Sequence, residues 1–518
     1  MERADVISSG VELCFLDQRN GRLLLTGRLY GNDPAPTLCY TLNGEKREAD
    51  LGASTEISHT YRHIFKIELD LSKLNSVRLS FEANTVCGPF FPIEFKCNGY
   101  SVIGEYIVYN ESSTVIIEKC TKELLKQRKR KYKVFSFKKD ALIAFAIRVF
   151  NRLLKPFCKK ELWLISDRID RAGDNGQAFF EYVVKNTPKG VKPVFLLDKK
   201  SPDYKKMKKI GKVKSPVSPF YKVYYTLASK HISSQLDGSR LLKVRAYLKD
   251  ILNKQDVVFL QHGVIEHDSS SYYNRFDFGM DMFVTTTNGE YGSIVGIESY
   301  GCDDTVTQLV GLCRHDKLKN ERENIIFIAP SWRLGLLTDT ETREIKEGFE
   351  NSTYYKIFNG LLNSERLIAK AMEKGYKICF YPHRMMEKAK HFFKTSHPVF
   401  INGDSISYTE MFCKGAMLIT DFSSVQFDFA YLKKPLIYCQ ADKAEFFAAH
   451  TCTEGYMDYE RDGFGPICNT LDSLVDTICE YMDNDCQIKE MYLERIEKTF
   501  KFTDGKSCER TLERIMEL

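Results

Sequence analysis

Four apolar segments of this 518-residue chain each run into residues able to do acid–base or phosphate chemistry. Residues 257–260 lead into Gln261, His262 and Gly263; 325–329 lead into Pro330, Ser331, Trp332 and Arg333. Residues 378–381 lead into Pro382, His383 and Arg384, and 417–420 lead into Asp421, Phe422, Ser423 and Ser424. After Ser424 the strand-like pattern breaks, and Val425, Phe427, Phe429 and Leu432 suit a helix. Ser423 and Ser424 are then expected at the mouth of that helix, where unpaired N–H groups and the positive end of the helix dipole suit an anion. The same Asp and serines could serve only as a helix cap. Four such strand ends together favour a ligand. An open α/β sheet binds at the carboxyl ends of its parallel strands, so one crevice is expected, lined by His262, Arg333, His383 and the serine turn.

The elements that must position these groups follow from the rest of the chain. From Leu162 onward, apolar strands alternate with helical stretches, the pattern of a doubly wound α/β fold. It divides into Rossmann-like units over residues 161–318 and 319–518, with the last helix, 487–500, expected to fold back by analogy with the tails of other two-unit α/β folds. Residues 1–120 instead show short alternating segments at 11–16, 22–29, 37–42, 63–69, 76–81, 106–109 and 114–118, separated by turns such as Asn20-Gly21 and Asn43-Gly44. That spacing predicts an antiparallel β-sandwich of about seven strands, an accessory or packing module.

Between them, residues 121–160 form a basic linker. From Lys122 to Lys160 there are fourteen Lys or Arg, among them Arg128, Lys129, Arg130 and Lys131, against only Glu123 and Asp140. Leu142, Phe145, Ala146, Val149, Leu153 and Phe157 recur at three- and four-residue steps, which predicts a helix with an apolar face flanked by cations. Such a helix suits an anionic membrane interface, each nearby cation contributing about 1 kcal/mol. An interdomain brace with a solvated basic flank would read the same way. Nucleic acid is not an expected partner, because no recognised binding module or aromatic stacking platform accompanies the basic run.

Composition narrows the class. Hydrophobic content of 43% and aromatic content of 13% indicate a globular chain. Sixteen cysteines are scattered without a CxxC pair, which predicts free thiols in a reducing cytosol rather than a disulfide framework or metal site. No metal or other cofactor is expected. The sequence MERADVISSG lacks the regions of a signal peptide, and no apolar run approaches the ~20 residues of a spanning helix.

The segments WLISDRIDRAGDNGQAFFEY (163–182), FLQHG (259–263), APSWR (329–333), YPHR (381–384) and ITDFSSVQFDFAYLKKPLIY (419–438), followed by GYMDY and GPI, are similar to those of the CDP-glycerol glycerophosphotransferases. That family includes teichoic-acid and capsule polymerases and primases, and the resemblance runs over roughly residues 160–500. It implies a GT-B fold, two Rossmann-like domains facing a cleft, with the nucleotide diphosphate held mainly by the second. The implied reaction is attack of a lipid-linked or polysaccharide acceptor hydroxyl on the glycerol-side phosphorus of CDP-glycerol, expelling CMP at the cytoplasmic face of a membrane. His262 is then the general base, which His267 and Asp268 stand near enough to orient. Arg333 and His383 face the diphosphate, and Ser423 and Ser424 hold phosphate. Asp421 fixes the turn, Asp428 braces the helix, and Asp174 and Glu181 are structural or acceptor-side groups. One departure stands out: many family members follow the His-Gly pair with Thr-Pro-Leu-Lys, whereas here it continues Val264, Ile265, Glu266, His267, Asp268. That difference leaves open a CDP-ribitol or other nucleotide-activated donor. A reading of another class is a non-catalytic membrane scaffold for polymer synthesis.

Overall fold

The computed structural model of the protein describes residues 10–19, 22–57, 60–70, 76–83, 100–111, 114–131, 139–218, 220–236, 248–252, 254–339, 342–395, 397–449 and 453–518. The N-terminal part is built from two antiparallel sheets. One has Gly10–Arg19, Arg22–Gly31, Thr60–Asp70 and Leu51–Ile57 in that order. The other has Glu45–Ala49, Leu38–Leu42, Ser76–Ala83, Thr114–Lys119, Tyr106–Glu111 and Tyr100–Ile103. Leu23, Leu25 and Phe65 from the first meet Val77, Leu79, Val115 and Ile117 from the second in one core. All seven predicted segments fall on strands. Three further strands lacked a usable pattern, most plainly Glu45–Ala49, whose sequence EKREA keeps its charges in solvent as an edge strand does. This module docks on the following α/β unit through Arg28, which donates to Asp277 at 3.0 Å and Asn274 at 2.9 Å and lies over the Phe276 ring.

Two parallel sheets follow. The first has seven strands in the order Val213–Lys214, Val191–Leu196, Glu161–Ser166, Lys230–Ser233, Asp256–Phe259, Met282–Thr285, Thr307–Leu309. The second has five: Lys377–Phe380, Ile325–Ile328, Gly415–Thr420, Leu436–Cys439, Ile467–Cys468. Every residue of Gly415–Thr420 is buried, as a strand covered by helices on both faces requires. Strand order reverses between Glu161–Ser166 and Lys230–Ser233 in the first sheet, and between Ile325–Ile328 and Gly415–Thr420 in the second. These reversals open crevices beyond the carboxyl ends of the strands. The chain also crosses back: Phe500 bridges to Thr287, and the backbone N–H groups of Ser507 and Cys508 both donate to Asp316 at 2.8 Å. The return is thus completed by the helix Ser507–Glu517, beyond the stretch 487–500 expected to fold back.

The basic linker contains two helices, Lys122–Lys131 and Lys139–Leu154. The second packs through its small face: Ala144 and Ile147 are buried against Val223 and Leu248. Its large residues point the other way. Phe145, Leu153 and Phe157 are exposed, Phe157 to 81%. Arg128 departs from the expectation of an outward cation. It is buried, its guanidinium 3.5 Å above the Tyr109 ring centroid and paired with Glu111 at 2.6 Å, because the first helix leans on the N-terminal module. The side chains of Lys129, Arg130 and Lys131 lie outside the described residues. Among the described residues no helix is long and apolar enough to cross a membrane.

Candidate functional site

The strand Glu161–Ser166 ends in Asp167, whose buried carboxylate gathers the next ten residues into a fixed loop. It accepts from the backbone N–H groups of Asp174 at 3.0 Å, Gly176 at 2.7 Å and Gln177 at 3.1 Å, and from the Ser234 hydroxyl at 2.8 Å. Burial, with Asp174 nearby, pushes its pKa up to about 6 against those donors. Asp174 caps the helix Asn175–Lys185 and meets two further groups: His262 through Nδ1, and Arg314, whose Nη1 donates at 2.8 Å. Burial alone would raise the Asp174 carboxyl; His262 and Arg314 outweigh it and hold it below the usual aspartate range.

His262 is aimed by a strained neighbour. Gln261 has a φ of +66°, unusual for a residue with a side chain, and it is fully buried. Its amide donates to the Val284 carbonyl at 2.7 Å and to Glu290 at 2.8 Å, and Asn175 donates to its carbonyl at 2.8 Å. Glu290 also takes the N–H groups of Ile265 and Thr286, and burial lifts its carboxyl to about 7. Held in this way, the His262 side chain stays 46% exposed. With Nδ1 on the Asp174 carboxylate, the neutral ring has its proton on Nδ1 and its lone pair on Nε2. Asp174 orients this ring; His267 and Asp268, adjacent in sequence, do not.

Gly263 brings the second unit close. A Cβ there would lie 2.5 Å from the Ser424 hydroxyl, so only glycine lets the serine turn rest against the histidine loop. Ser423 and Ser424 are half-buried, and their hydroxyls have no hydrogen-bond partner among the described residues. A half-buried guanidinium clamps the same junction: Arg314 donates from Nε and Nη2 to Asp428 at 2.7 and 2.6 Å while still holding Asp174. The Asp428 carboxyl falls far below the ordinary range, Arg314 and His315 outweighing burial.

Arg333 does not present its fork to solvent. It donates to Asp442 at 2.7 and 3.0 Å and to Asp421 at 2.7 Å, all buried, and lies beside the rings of Tyr354 and Phe446. Asp421 also takes the Ser331 N–H at 2.8 Å, so this pair ties two strand-end loops together instead of facing a ligand. His383 is half-buried, and its N–H donates to the Pro330 carbonyl at 3.2 Å. Its Nδ1 accepts the Met385 N–H at 3.2 Å, so a neutral ring keeps its proton on Nε2, the opposite tautomer to His262. Arg384 pairs with Asp170 at 3.0 Å, joining the His383 loop to the Asp174 loop.

The residues that follow the His262-Gly263 pair clasp the two α/β units together. Glu266 is buried in the second unit, taking donors from Gln426 and from the Tyr459 hydroxyl at 3.2 Å, and burial pushes its carboxyl up to about 8. His267 sits edge-on to Phe447, and the Asp268 N–H donates to the Thr453 carbonyl at 3.2 Å. Among the described residues no cluster of three or more His, Cys, Asp or Glu could hold a metal. Sequence reasoning missed Arg314 as the clamp, since the strand before it, Thr307–Leu309, is too short to signal a strand end. It read Asp174 as a structural or acceptor-side group without linking it to His262, the partner that the fold supplies.

Together these features define an α/β protein of Rossmann-like parallel sheets with an antiparallel N-terminal module and a carboxylate-held histidine at the strand ends. Residues 147–517 match the family described as CDP-Glycerol:Poly(glycerophosphate) glycerophosphotransferase, and the chain belongs to that family. It is 35% identical over 403 residues to the minor teichoic acid biosynthesis protein GgaB of Bacillus subtilis, covering 76% of this chain and 43% of that one. It is 24% identical over 225 residues to a teichoic acid glycerol-phosphate transferase of Staphylococcus aureus, covering 40% of this chain and 53% of the relative. The chain thus spans about half or less of the length of these curated relatives. A solved variant of the wall teichoic acid polymerase TagF shares the fold, with a TM-score of 0.53 at 16% identity, covering 77% of this chain and 98% of that one.

Proposed function

We propose that the protein transfers glycerol phosphate from CDP-glycerol to a hydroxyl of a lipid-linked or glycan acceptor, releasing CMP, in teichoic acid or capsular polymer synthesis. The observation that carries this reading is the pair of strand-end histidines in opposite tautomers. His262 Nε2 takes the acceptor proton as the acceptor oxygen bonds to the glycerol-side phosphorus. The bond from that phosphorus to the CMP oxygen breaks, and His383 Nε2–H donates to the departing oxygen. The serine hydroxyls of Ser423 and Ser424 suit the phosphate oxygens. Arg333 and Asp421, engaged with each other, hold the loops that carry them. In this reading the two α/β units form a GT-B pair, residues 161–318 on the acceptor side and 319–518 on the donor side. Release of CMP from CDP-glycerol with an acceptor tests it. CDP-ribitol belongs in the same assay, since a ribitol-phosphate polymerase is among the relatives. No release from CDP-glycerol, CDP-ribitol or any other CDP-alditol would refute the enzyme and leave the scaffold.

We also infer that the protein works on an anionic membrane surface. The exposed Phe145 and Leu153 lie on a helix that carries Arg148 and Arg152, Phe157 follows in the turn Lys155–Phe157, and Val217 and Phe220 are exposed just before the helix Tyr221–Leu227, beside which the helix Lys139–Leu154 packs. Apolar anchors beside cations match an interface with acidic headgroups. The full chain should sediment with anionic vesicles, come off as salt rises, and fail to bind when Leu153 and Phe157 are changed to Asp. Equal sedimentation by that variant would refute the surface.

A further inference from the structure

The site described so far is short of positive charge. Transfer of a phosphoryl group needs cations around its oxygens, yet Arg314 is held by Asp174 and Asp428, and Arg333 by Asp421 and Asp442. The uncommitted cations lie on the loop that leaves the first sheet at its switch point. Residues 168–173 are closed into a loop where the Asp167 carboxylate takes the N–H groups of Asp174 and Gly176, and the loop is tied to the neighbouring segment where the Asp198 N–H donates to the Ile169 carbonyl at 2.7 Å. Arg168 and Arg171 are paired across that loop by a backbone bridge, with the Arg171 N–H donating to the Arg168 carbonyl at 3.3 Å. Arg168 is half-buried, Arg171 is exposed, and neither has an ion pair among the described residues. Like charges placed opposite each other destabilise a pairing unless an anion shares them.

The far side of this loop is built by the second unit. Tyr381 and Tyr408 meet edge to face with ring centroids 5.2 Å apart, the Tyr408 hydroxyl in the field of Arg168, Arg314 and Arg384 and that of Tyr381 in the field of Arg171, four guanidiniums in all. The carboxylates nearby are spoken for: Asp170 by Arg384, and Glu410 by the backbone and hydroxyl of Ser407. Arg314, the innermost of the four, also donates to the His262 carbonyl, which puts the group beside the catalytic histidine.

We propose that Arg168 and Arg171 form a phosphate-binding subsite at the mouth of the site, closed on the other side by Tyr381, Tyr408 and Arg384. The subsite rests on the proposed reaction for its use, and it takes either the donor diphosphate or a phosphodiester of the acceptor chain. A paired guanidinium fork on a fixed loop fits the geometry of phosphate oxygens, and a lysine would not reproduce it.

The test is the full-length protein with Arg168→Gln, Arg171→Gln and both together. Titration with pyrophosphate and with CDP-glycerol is followed by CMP-release kinetics on a phosphodiester-bearing acceptor and on a neutral hydroxyl acceptor. The double variant should fold with an unchanged or higher melting temperature, since a like-charge pair is removed. Loss of about ten- to a hundred-fold in affinity for CDP-glycerol and pyrophosphate assigns the donor diphosphate. A rise in KM confined to the phosphodiester acceptor assigns the acceptor chain. Arg171→Lys should recover only part of either loss. An active wild type whose double variant keeps its affinity and both KM values overturns the subsite. A wild type that releases no CMP, but whose pyrophosphate binding is lost in the double variant, overturns the reaction and keeps the subsite. Absence of both in the wild type overturns the two together.

Discussion

Asp174→Asn is the substitution that bears most directly on the proposed chemistry. It keeps the size of the side chain and its place at the start of Asn175–Lys185, and removes the carboxylate that holds His262 Nδ1. An amide N–H₂ facing Nδ1 would force the ring proton onto Nε2 and take away the lone pair that accepts the acceptor proton. A general base contributes about 10² to 10⁴ in rate, and turnover at saturating CDP-glycerol should fall by that order. Stability should fall less. Arg314 keeps its two-pronged contact with Asp428 and still donates to the remaining side-chain oxygen, losing only the charge on that acceptor, about 1 kcal/mol, or a few degrees of melting temperature in a chain of this size. The assay is a double-mutant cycle on CMP release with His262→Ala. If Asp174 acts only by orienting His262, the double variant should be no slower than His262→Ala alone. An Asp174→Asn effect of equal size in both backgrounds, or a raised KM with kcat intact, would refute the orientation argument.

His262→Ala should lower turnover far more than CDP-glycerol affinity, as steady-state kinetics beside titration would show; lost binding with turnover intact would contradict it. Gly263→Ala puts a methyl group 2.5 Å from the Ser424 hydroxyl and must displace the serine turn, so CMP release should drop by about 10²-fold, whereas Gly292→Ala, with open space at its Cβ, should leave activity unchanged. Arg333→Ala strands Asp421 and Asp442 without their cation and should cost about 3–5 kcal/mol in denaturant unfolding; intact stability with lost donor binding would return Arg333 to the ligand. Glu266, raised to about 8 in the fold, binds its proton more tightly folded than unfolded, so its contribution is complete below about pH 4 and is lost as pH climbs through 8, at up to about 1.4 kcal/mol per unit. Melting temperature should therefore fall from pH 6 to pH 9 more steeply in the wild type than in Glu266→Gln, and parallel curves would show that Glu266 does not titrate there.

Much of the fold was legible because it rests on local pattern. Apolar runs closed by polar residues marked the strands Asp256–Phe259, Ile325–Ile328, Lys377–Phe380 and Gly415–Thr420. Alternation marked the sandwich wherever one face is buried, and failed at Glu45–Ala49, where almost nothing is. The linker helix was legible as amphipathic, but not in its direction. Periodicity tells that Phe145, Leu153 and Phe157 share a face; whether that face meets the body or the solvent depends on what Ala144 and Ile147 find on the other side.

The sequence by itself determined which polar groups stand at strand ends, because strand and turn patterns are short-range and His262, Arg333, His383 and the serines follow them directly. It could not determine how those groups pair. Arg333 finds Asp442 109 residues away, His262 finds Asp174 88 residues away, and Arg314 finds Asp428 114 residues away. Such partners are chosen by which strands lie side by side in each sheet and, for Arg314 and Asp428, by how the two units meet, where a buried charge is tolerated only beside its opposite. The tertiary structure alone therefore decided which arginines are braces, which are left to meet an anion, and which carboxylate aims the histidine.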